Sequence, residues 1–357
     1  MNDKSNYTNM KTKVRKSGML TLWLILLLLA SSMVYGEEYK KTISEKYDVQ
    51  PGAVLKIDNK FGDVVCNKWD KMTISIDVTI TVHSSSQDKA NKVFDKIRVT
   101  LSGTDRIVEG VTTIQEMKGN NKFSIDYTIN MPADLNVELK NKYGMMLVEE
   151  VKRSSKIDLK YGDLKVGNLL NSANQIWVKY GNCDIEHINQ GKVNVAYADL
   201  DIDDANTLEV SSKYNDVSID HVNDLIISTA YDDISIDHLK TIKAEAKFSV
   251  FDIDHLEESL DIDMEYGGCQ VDEVSGNFSA ITILAQYTGI ELEFEEGASY
   301  QVSVDVSYSG VDFPSNSNIV KKKHSHTSAL YEGYVGSNSS APAKVMIKAR
   351  HGGVELK

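Results

Sequence analysis

The most constraining feature of this sequence is an aromatic residue that recurs every 17 to 19 residues through the middle of the chain. The successive gaps are 18, 19, 17, 17, 17, 17 and 18 residues. A period this short and regular indicates one small unit stacked on copies of itself, as in a solenoid, and it excludes a helical bundle or an ordinary sandwich. The aromatic positions are Tyr143, Tyr161, Tyr180, Tyr197, Tyr214, Tyr231, Phe248 and Tyr266.

Apolar residues recur three, five and eight positions after each aromatic, as Leu200, Ile202 and Ala205 do after Tyr197. Polar residues separate them, and this period-two alternation is typical of half-buried strands. Each unit is predicted to hold two short strands. One bend is expected at the Gly-Asp or Asn-Asp pair after the aromatic and the other near an Asp-His pair, because Gly, Asn and Asp favour turns. The fold class is therefore all-β, a parallel β-solenoid with coils of 17 to 18 residues, whose aromatic rings are expected to stack and to point inward.

The chain divides around this array into segments of different composition. The segment that repeats the Asn-Lys-aromatic-Gly pattern before the main array is read as an early coil, interrupted by an insertion. The predicted divisions are a signal peptide at 1–36, an N-terminal strand region at 37–53, a first coil at 54–69, an α+β cap excursion at 70–132, solenoid repeats at 133–313, a flexible loop at 314–344 and a terminal strand at 345–357 that pairs last.

The cap excursion is predicted to contain a helix over 86–97. Ser86 is a favourable N-cap residue, and Ala90, Val93, Phe94 and Ile97 form one apolar stripe at helical spacing. A small α+β cap over the first coils follows, which a solenoid needs because its end coils would otherwise expose unpaired strands.

The N-terminus resembles a secretory signal. Lysines and an arginine at 11–16 precede an apolar run, Leu20 to Ala30, that is short for a bilayer span, and Val34 and Gly36 suit cleavage before Glu37. Export is therefore expected, to the periplasm, the outer-membrane surface or the medium, with no transmembrane segment after cleavage. An uncleaved signal anchor is the alternative.

The cysteine positions argue against disulfide bonds, and the net charge argues against a nucleic-acid partner. Cys183 and Cys269 occupy the same predicted inward column five coils apart, about 24 Å at the spacing of stacked strands, too far to bridge. Together with Cys66 they are expected to be buried and unpaired. A formal net charge of −13 argues against a nucleic-acid partner, which needs a basic face.

An acidic column and a neighbouring histidine-rich column are the candidate site. Carboxylates stacked about 5 Å apart repel by roughly 1 kcal/mol per neighbouring pair even in water, so a shared divalent cation could relieve them. The alternative interpretation is that Asp caps the turns and His follows by duplication of the repeat. The candidate metal ligands are Asp203, Asp220, His221, Asp237, His238, Asp254 and His255.

Other chemistry finds little support in the sequence. Paired carboxylates serve glycoside cleavage in some β-helices, but here they are uniform along the stack. The histidines are periodic and no Gly-x-Ser-x-Gly is present, so a serine hydrolase is not indicated. The basic segment Lys321–His326 is interpreted as a solvated surface loop, with contact to an anionic polysaccharide or lipid as the alternative.

Several short motifs resemble the bacterial putative-adhesin family, whose members are exported β-solenoids common in Bacteroidetes-like bacteria. They are the Asn-Lys-Tyr-Gly at 141–144, the Lys-Tyr-Gly at 160–162 and 179–181, the lead-in at 129–135 and the closing His-Gly-Gly-Val-Glu-Leu at 351–356. The likeness covers 54–357 and implies a cell-surface or periplasmic solenoid, with no active-site residues. The chain departs from simpler members by its insertion at 70–132 and its segment at 314–344.

These observations favour an exported, non-catalytic, adhesin-like β-solenoid that presents a repetitive surface for binding or cell-envelope contact. Its expected partner is an envelope or extracellular ligand, either a polysaccharide or a protein, and no cofactor is expected. The rival hypothesis is a metal-binding or envelope-stress-sensing protein that uses the Asp/His columns and a divalent cation.

Overall fold

The structure, a computed structural model, describes residues 37–119, 121–323 and 325–357. The predicted signal peptide at 1–36 lies outside these residues. Within them the chain forms a β-solenoid of about nine turns with mostly parallel strand pairing, as predicted.

The strands and the helix follow one another in chain order. The N-terminal elements are β1 (Glu37–Asp48), β2 (Val54–Asp58), β3 (Val64–Lys68), β4 (Thr73–Ser84), α1 (Gln87–Phe94), β5 (Ile97–Gly103), β6 (Ile107–Ile114) and β7 (Lys122–Met131). The coil strands are β8 (Asn136–Lys142), β9 (Met146–Val151), β10 (Ser155–Lys160), β11 (Leu164–Leu169), β12 (Asn174–Lys179), β13 (Cys183–Ala196), β14 (Leu200–Lys213), β15 (Asp216–Ala230), β16 (Asp233–Lys247), β17 (Val250–Val274) and β18 (Ala280–Phe294). The C-terminal strands are β19 (Tyr300–Ser307), β20 (Val311–Asp312), β21 (Ser317–Lys323), β22 (Ser328–Val335), β23 (Lys344–Arg350) and β24 (Val354–Leu356).

Each coil has two sheet-forming segments, which we call the trailing segment (after the aromatic) and the leading segment (before the next one). The early coils keep them as separate strands, but from β13 onward one strand runs through both. The bend is still present within this continuous strand. In β13 the inward–outward alternation is interrupted by two adjacent outward residues, Glu186 and His187. The bend near the Asp-His pair is therefore present, but the expected break between two short strands is absent there because parallel pairing resumes on both sides of the bend, as in Ile202 with Ile219.

The core runs along the solenoid axis between these segments. Each coil contributes β-branched and leucine side chains at the predicted columns, and Leu200, Ile202 and Val210 are examples with at most 2% of their surface exposed. Stacked coils bury what a single coil would leave open, so the array gains hydrophobic stabilisation and ladder hydrogen bonds together. Cys66, Cys183 and Cys269 are buried and free, which confirms the prediction for the three thiols.

The excursion caps the N-terminal end. Its strand β6 pairs in parallel with β2, β7 pairs with β3, and the antiparallel pair β4–β1 extends the sheet outward from β7. The helix α1 is shorter than the predicted 86–97, but Ser86 is its N-cap and accepts from the Lys89 backbone N–H at 3.4 Å. Ala90, Val93 and Phe94 are its buried residues, as predicted, but Ile97, the fourth residue of the predicted stripe, begins β5 instead of ending the helix.

The C-terminal end differs from the expectation in two ways. The terminal segment does not pair last, because β23 lies between β18 and β19, and β24 lies between β18 and β20. The segment 314–344, expected to be a flexible loop, contains the antiparallel hairpin β21–β22, which continues the sheet from β19. Its alternating residues pair with a neighbouring strand, and that long-range partner is not visible in a local pattern of Ser, Asn and Lys.

Candidate functional site

The recurring aromatics form one continuous stack of rings along the solenoid, which we call the aromatic ladder. Neighbouring ring centroids lie 4.7 to 5.2 Å apart, with interplanar angles of 2 to 17°. The predicted stacking is therefore present, and it extends beyond the eight rings found by spacing. In spatial order the ladder is Phe61, Tyr143, Tyr161, Tyr180, Tyr197, Tyr214, Tyr231, Phe248, Tyr266, Tyr287, His351 and Tyr308.

The rings do not point inward, and this part of the prediction was wrong. Tyr197 is 51% exposed and Tyr308 is 58% exposed, whereas the residue after Tyr197, Ala198, is buried. Every ladder residue has a positive φ, between 54 and 64°. This left-handed conformation turns the chain at the aromatic and interrupts the inward–outward alternation. Inward residues recur at every second position on both sides of the aromatic, but the series after it is displaced by one residue from the series before it.

Left-handed backbone is unfavourable for residues other than glycine by about 1–2 kcal/mol each, so something must offset it at every corner. Aromatic pairs contribute about 0.5–1.5 kcal/mol beyond their burial, and each interior ring has two partners. The same stacking covers both faces of each ring. The ladder therefore offers ring edges to solvent, and sugars cannot stack on the faces of its interior rings.

Lysines flank the ladder on its leading side. Lys142 Nζ lies 4.8 Å from the ring centroid of Tyr143 and 5.4 Å from that of Tyr161, and Lys213 Nζ lies 5.1 Å from that of Tyr214. At these distances the ring quadrupoles attract the ammonium groups. The ladder edge is thus partly cationic.

The trailing segments on the other side carry an acidic face. The stretches 181–188, 198–205, 215–222, 232–239, 249–256 and 267–274 contain no lysine or arginine. Burial, and then the charges of Asp184, Asp199, Asp203 and Asp220, raise the pKa of Asp201 above its ordinary value. The acidic residues of this face are Asp184, Glu186, Asp199, Asp201, Asp203, Asp204, Asp216, Asp220, Asp233, Asp237, Asp252, Asp254, Asp272 and Glu273.

The predicted metal ligands lie on this face, one Asp in each of four coils and one His in three of them, and most stay apart. Of the predicted set, Asp254 alone belongs to a group whose ligand atoms converge in the described part of the chain: Asp252, Asp254 and Asp272 offer carboxylate oxygens within 4.8 Å of one another. Burial first, and then the neighbouring carboxylates Asp272 and Asp254, raise the pKa of Asp252. Three exposed carboxylates are hard oxygen ligands of the kind that calcium or magnesium accepts. Asp203, Asp220 and Asp237 stand one per coil at the bend.

The histidines form a loose column beside these carboxylates. The ring centroids of His221 and His238 are 6.2 Å apart, and those of His238 and His255 are 5.8 Å apart. His255 Nδ1 lies 2.9 Å from Glu273 Oε1 of the next coil, and the equivalent His187 Nδ1 lies 2.5 Å from Asp204 Oδ2. These imidazoles therefore contact carboxylates across the coils.

A groove of about 1020 Å³ lies over the leading segments, on the lysine side of the ladder. It crosses seven neighbouring strands, from β14 through β18 to β23 and β19, which is about 29 Å at the spacing of stacked strands. Its lining mixes hydroxyls, carboxylates and cations, such as Ser228, Glu245 and Lys247. Sequence reasoning missed this groove because its residues occupy the variable outward positions of the repeat.

The thiols are poor candidates for chemistry. Burial raises the pKa of the Cys66 and Cys269 thiols to about 12, and it raises the pKa of Cys183 as well. A thiol acts as nucleophile or metal ligand in its thiolate form, which these environments disfavour.

Comparisons with known proteins give fold likenesses only. No known family profile matches the chain, and no curated protein matches it. Among solved structures, a putative cell adhesion protein from Clostridium sporogenes is 12% identical with a TM-score of 0.21, covering 89% of this chain and 99% of that one. A putative adhesin from Parabacteroides merdae is 14% identical with a TM-score of 0.35, covering 71% and 96%. A putative lipid binding protein from Parabacteroides distasonis is 10% identical with a TM-score of 0.28, covering 90% and 98%. Because these TM-scores lie below 0.5, the function proposed below rests on the geometry of this chain.

None of the helical segments in the described ranges has the length and apolar character needed to cross a membrane.

Proposed function

We propose that the protein is an exported, non-catalytic, adhesin-like solenoid that holds an extended ligand, a polysaccharide or a protein segment, in the groove beside the aromatic ladder. The observation that carries this proposal is the groove itself, which follows the stacking direction across seven strands. A long ligand lying in this direction could contact each coil that it crosses, and many weak contacts would then add up.

The composition of the groove fits such a ligand. Ser211 and Ser228 offer hydroxyls, Glu245 and Asp263 offer acceptors, and Arg350 offers a donor fork. Hydroxyls, acceptors and cations interspersed on a rigid sheet suit hydrogen bonding to sugars or to an extended peptide. The buried, high-pKa thiols and the evenly repeated carboxylates support a binding role over catalysis.

Blocking the groove tests the proposal. Ser228→Arg would place a long side chain in the groove, whereas Ser235→Arg, also at an exposed serine, would place the same bulk on the trailing side of the next coil. A glycan array and adhesion to bacterial or host cells should show binding by the wild-type protein and the Ser235→Arg variant, with strong loss in Ser228→Arg. Equal binding by both folded variants would rule out the groove.

A second candidate is divalent cation binding on the acidic face, favoured by the converging oxygens of Asp252, Asp254 and Asp272. Equilibrium dialysis with calcium, zinc and nickel tests it. Calcium binding lost in Asp254→Asn would support a carboxylate site, and zinc or nickel binding lost when His221, His238 and His255 become alanine would support the predicted Asp/His columns. The absence of stoichiometric binding of all three ions would eliminate this candidate.

A further inference from the structure

The N-terminal cap carries a basic cleft in an otherwise acidic protein. The cleft has a volume of about 630 Å³ and is lined by residues of α1, of the end of β4 and of the β6–β7 connection. Five lysines and one histidine line it, against one carboxylate, Glu116, although the whole chain has a net charge of −13. The basic residues are His83, Lys89, Lys92, Lys96, Lys118 and Lys122.

These lysines have no acidic partner among the described residues. None of the ion pairs formed by residues 37–119, 121–323 and 325–357 includes any of the five. Lys89 Nζ donates to Ser85 Oγ at 3.0 Å and Lys96 Nζ donates to Gln115 Oε1 at 3.3 Å, so their acceptors are neutral. The basic run at the other end contrasts with this, since Lys322 pairs with Glu332 and Lys321 lies 5.0 Å from the Tyr331 ring centroid.

The arrangement of the lysines is unfavourable in isolation, and Asp88 and Asp95, which lie near Lys92 in the chain but do not line the cleft, offset only part of it. Lys89, Lys92 and Lys96 follow one another at spacings of three and four residues, so they share one side of the helix and the turn after it. Like charges at such spacings repel. A bound anion would attract the three ammonium groups and so offset the repulsion between them.

The floor of the cleft is apolar. Val82 and Val93 are 1% and 8% exposed, and Met117 is half-buried. A cleft of this volume, with an apolar floor and convergent charged groups, has the size and lining of small-ligand sites.

We propose that this cleft binds a ligand that carries a phosphate or sulfate ester on a body with an apolar part. Lysine ammonium groups bind phosphate as point charges, and several of them around one cleft can together donate to the oxygens of one anionic ester group. The apolar floor would contact the part of the ligand next to that group. This site lies on the cap, apart from the groove of the proposed function, and either one can fail without the other.

Calorimetric titration of the purified protein with three probes tests the two halves of the proposal. Octyl phosphate, below its critical micelle concentration, supplies charge and apolar body, inorganic phosphate supplies charge alone, and octyl glucoside supplies the apolar body alone. We expect octyl phosphate to bind more tightly than inorganic phosphate and octyl glucoside not to bind at the same concentrations. Equal affinity for octyl phosphate and octyl glucoside, or no binding of octyl phosphate, would overturn the proposal.

Matched lysine variants locate the binding. The triple variant Lys92→Gln, Lys96→Gln and Lys122→Gln removes three charges from the cleft and should weaken octyl phosphate binding on the order of tenfold or more. The control removes three charges from the coils, as Lys192→Gln, Lys240→Gln and Lys243→Gln, and should leave the affinity unchanged. Equal weakening in both triples would mean that net charge alone attracts the anion, which would also overturn the proposal.

Two measurements on the wild-type protein complete the test. Octyl phosphate should protect Lys92 and Lys96 from acetylation while Lys192 and Lys243 stay reactive, and uniform reactivity would contradict the site. Co-sedimentation with phosphatidylcholine vesicles, with and without phosphatidylglycerol, distinguishes the source of the ligand. Selective binding to the anionic vesicles would indicate a lipid headgroup, and octyl phosphate binding without vesicle binding would indicate a free phosphorylated or sulfated molecule.

Discussion

The corners of the early coils and those of the middle coils hold the same aromatic ladder by different chemistry, and the early type returns at Gly267 and Gly352. After Tyr143, Tyr161 and Tyr180 the next residue is glycine, and a Cβ on Gly162 would lie 2.0 Å from the carbonyl oxygen of Gly144. The corner backbones there approach so closely that only glycine fits. After Tyr214, Tyr231 and Phe248 the next residue is polar and buried: Asn215, Asp232 or Ser249.

The hydrogen bonds between coils change direction with the corner type. In two glycine corners an aspartate follows the glycine and reaches the next coil from outside: Asp163 Oδ1 accepts from the Asn182 N–H at 2.9 Å, and Asp63 Oδ1 accepts from the Met145 N–H at 2.8 Å. In the polar corners the buried side chain reaches the previous coil from inside, as Asp232 Oδ1 accepts from the Asn215 N–H at 2.7 Å. Both corner types provide acceptors for backbone N–H groups that the left-handed turn leaves without a partner. The ring stack is therefore common to all corners, whereas either type of hydrogen bond can support it.

The largest expected difference between the corner types is steric. Gly162→Ala should lower the free energy of unfolding by about 4 kcal/mol, because the added methyl must displace a neighbouring backbone. Ala198→Gly, at the equivalent corner position of a later coil, should cost only about 1–2 kcal/mol, from chain entropy and the loss of a buried methyl group. Urea midpoints, with hydrogen exchange at the corner, measure both, and similar costs for the two changes would show that the glycine corners are not tightly packed.

The next largest difference concerns the corner hydrogen bonds. Asp232 is 2% exposed and accepts from the backbone N–H groups of Asn215 and Ala230 and from the Thr229 hydroxyl. Asp232→Ala should therefore cost about 3 kcal/mol, because buried donors would lose their acceptor. Asp163→Ala, at an exposed glycine-corner aspartate, should cost about 1 kcal/mol or less. A reversed order in urea denaturation would contradict the assignment of Asp232 as the buried acceptor of its corner.

The stability that each ring contributes to the ladder should be the same in glycine corners and in polar corners. Tyr161 and Tyr231 each stack on two rings, so alanine at either position should cost a similar amount, about 2 kcal/mol. Glycine at either position should cost about 1 kcal/mol less than alanine, since it relieves the positive φ. Thermal denaturation of the four variants measures this, and a much larger loss at one of the two tyrosines would show that corner chemistry and stacking are coupled.

The sequence predicts the stack but not the side on which the rings lie. The columns at Leu200 and Ile202 and the buried Cys183 follow directly from period-two alternation and are buried as predicted. The outward rings could not be deduced in this way, because extending the alternation of the leading segment through Tyr197 places its ring inside, whereas extending that of the trailing segment places it outside. The positive φ that joins the two is a property of the corner, which composition alone does not reveal for a tyrosine.

The order in which distant strands pair also could not be deduced from the sequence. The segment 344–356 carries the same pattern as any other coil, so nothing local distinguishes a place at the end from its actual place between β18 and β19. His351 follows the same logic: it fills a rung of the ladder between Tyr287 and Tyr308, and its positive φ and stacking become visible only once that insertion is known. The groove and the basic cleft likewise depend on which outward residues become neighbours.

The smallest expected effect compares the acidic trailing face with the mixed leading face. Burial and neighbouring carboxylates raise the pKa of Asp201 above its ordinary value of 3.8, so the native state binds more protons than the unfolded state between the ordinary and the raised pKa. Its contribution to stability therefore falls as pH rises through that window. Asp201→Asn should raise stability at neutral pH by a few tenths of a kcal/mol, since the site is exposed and screened, and should give no gain below pH 3.8.

Glu209→Gln, which removes the 2.5 Å ion pair with Lys192 on the leading face, should lower stability by a similar amount. Urea midpoints at the two pH values give both signs, and a destabilised Asp201→Asn at neutral pH would show that this carboxylate has a favourable partner on the acidic face.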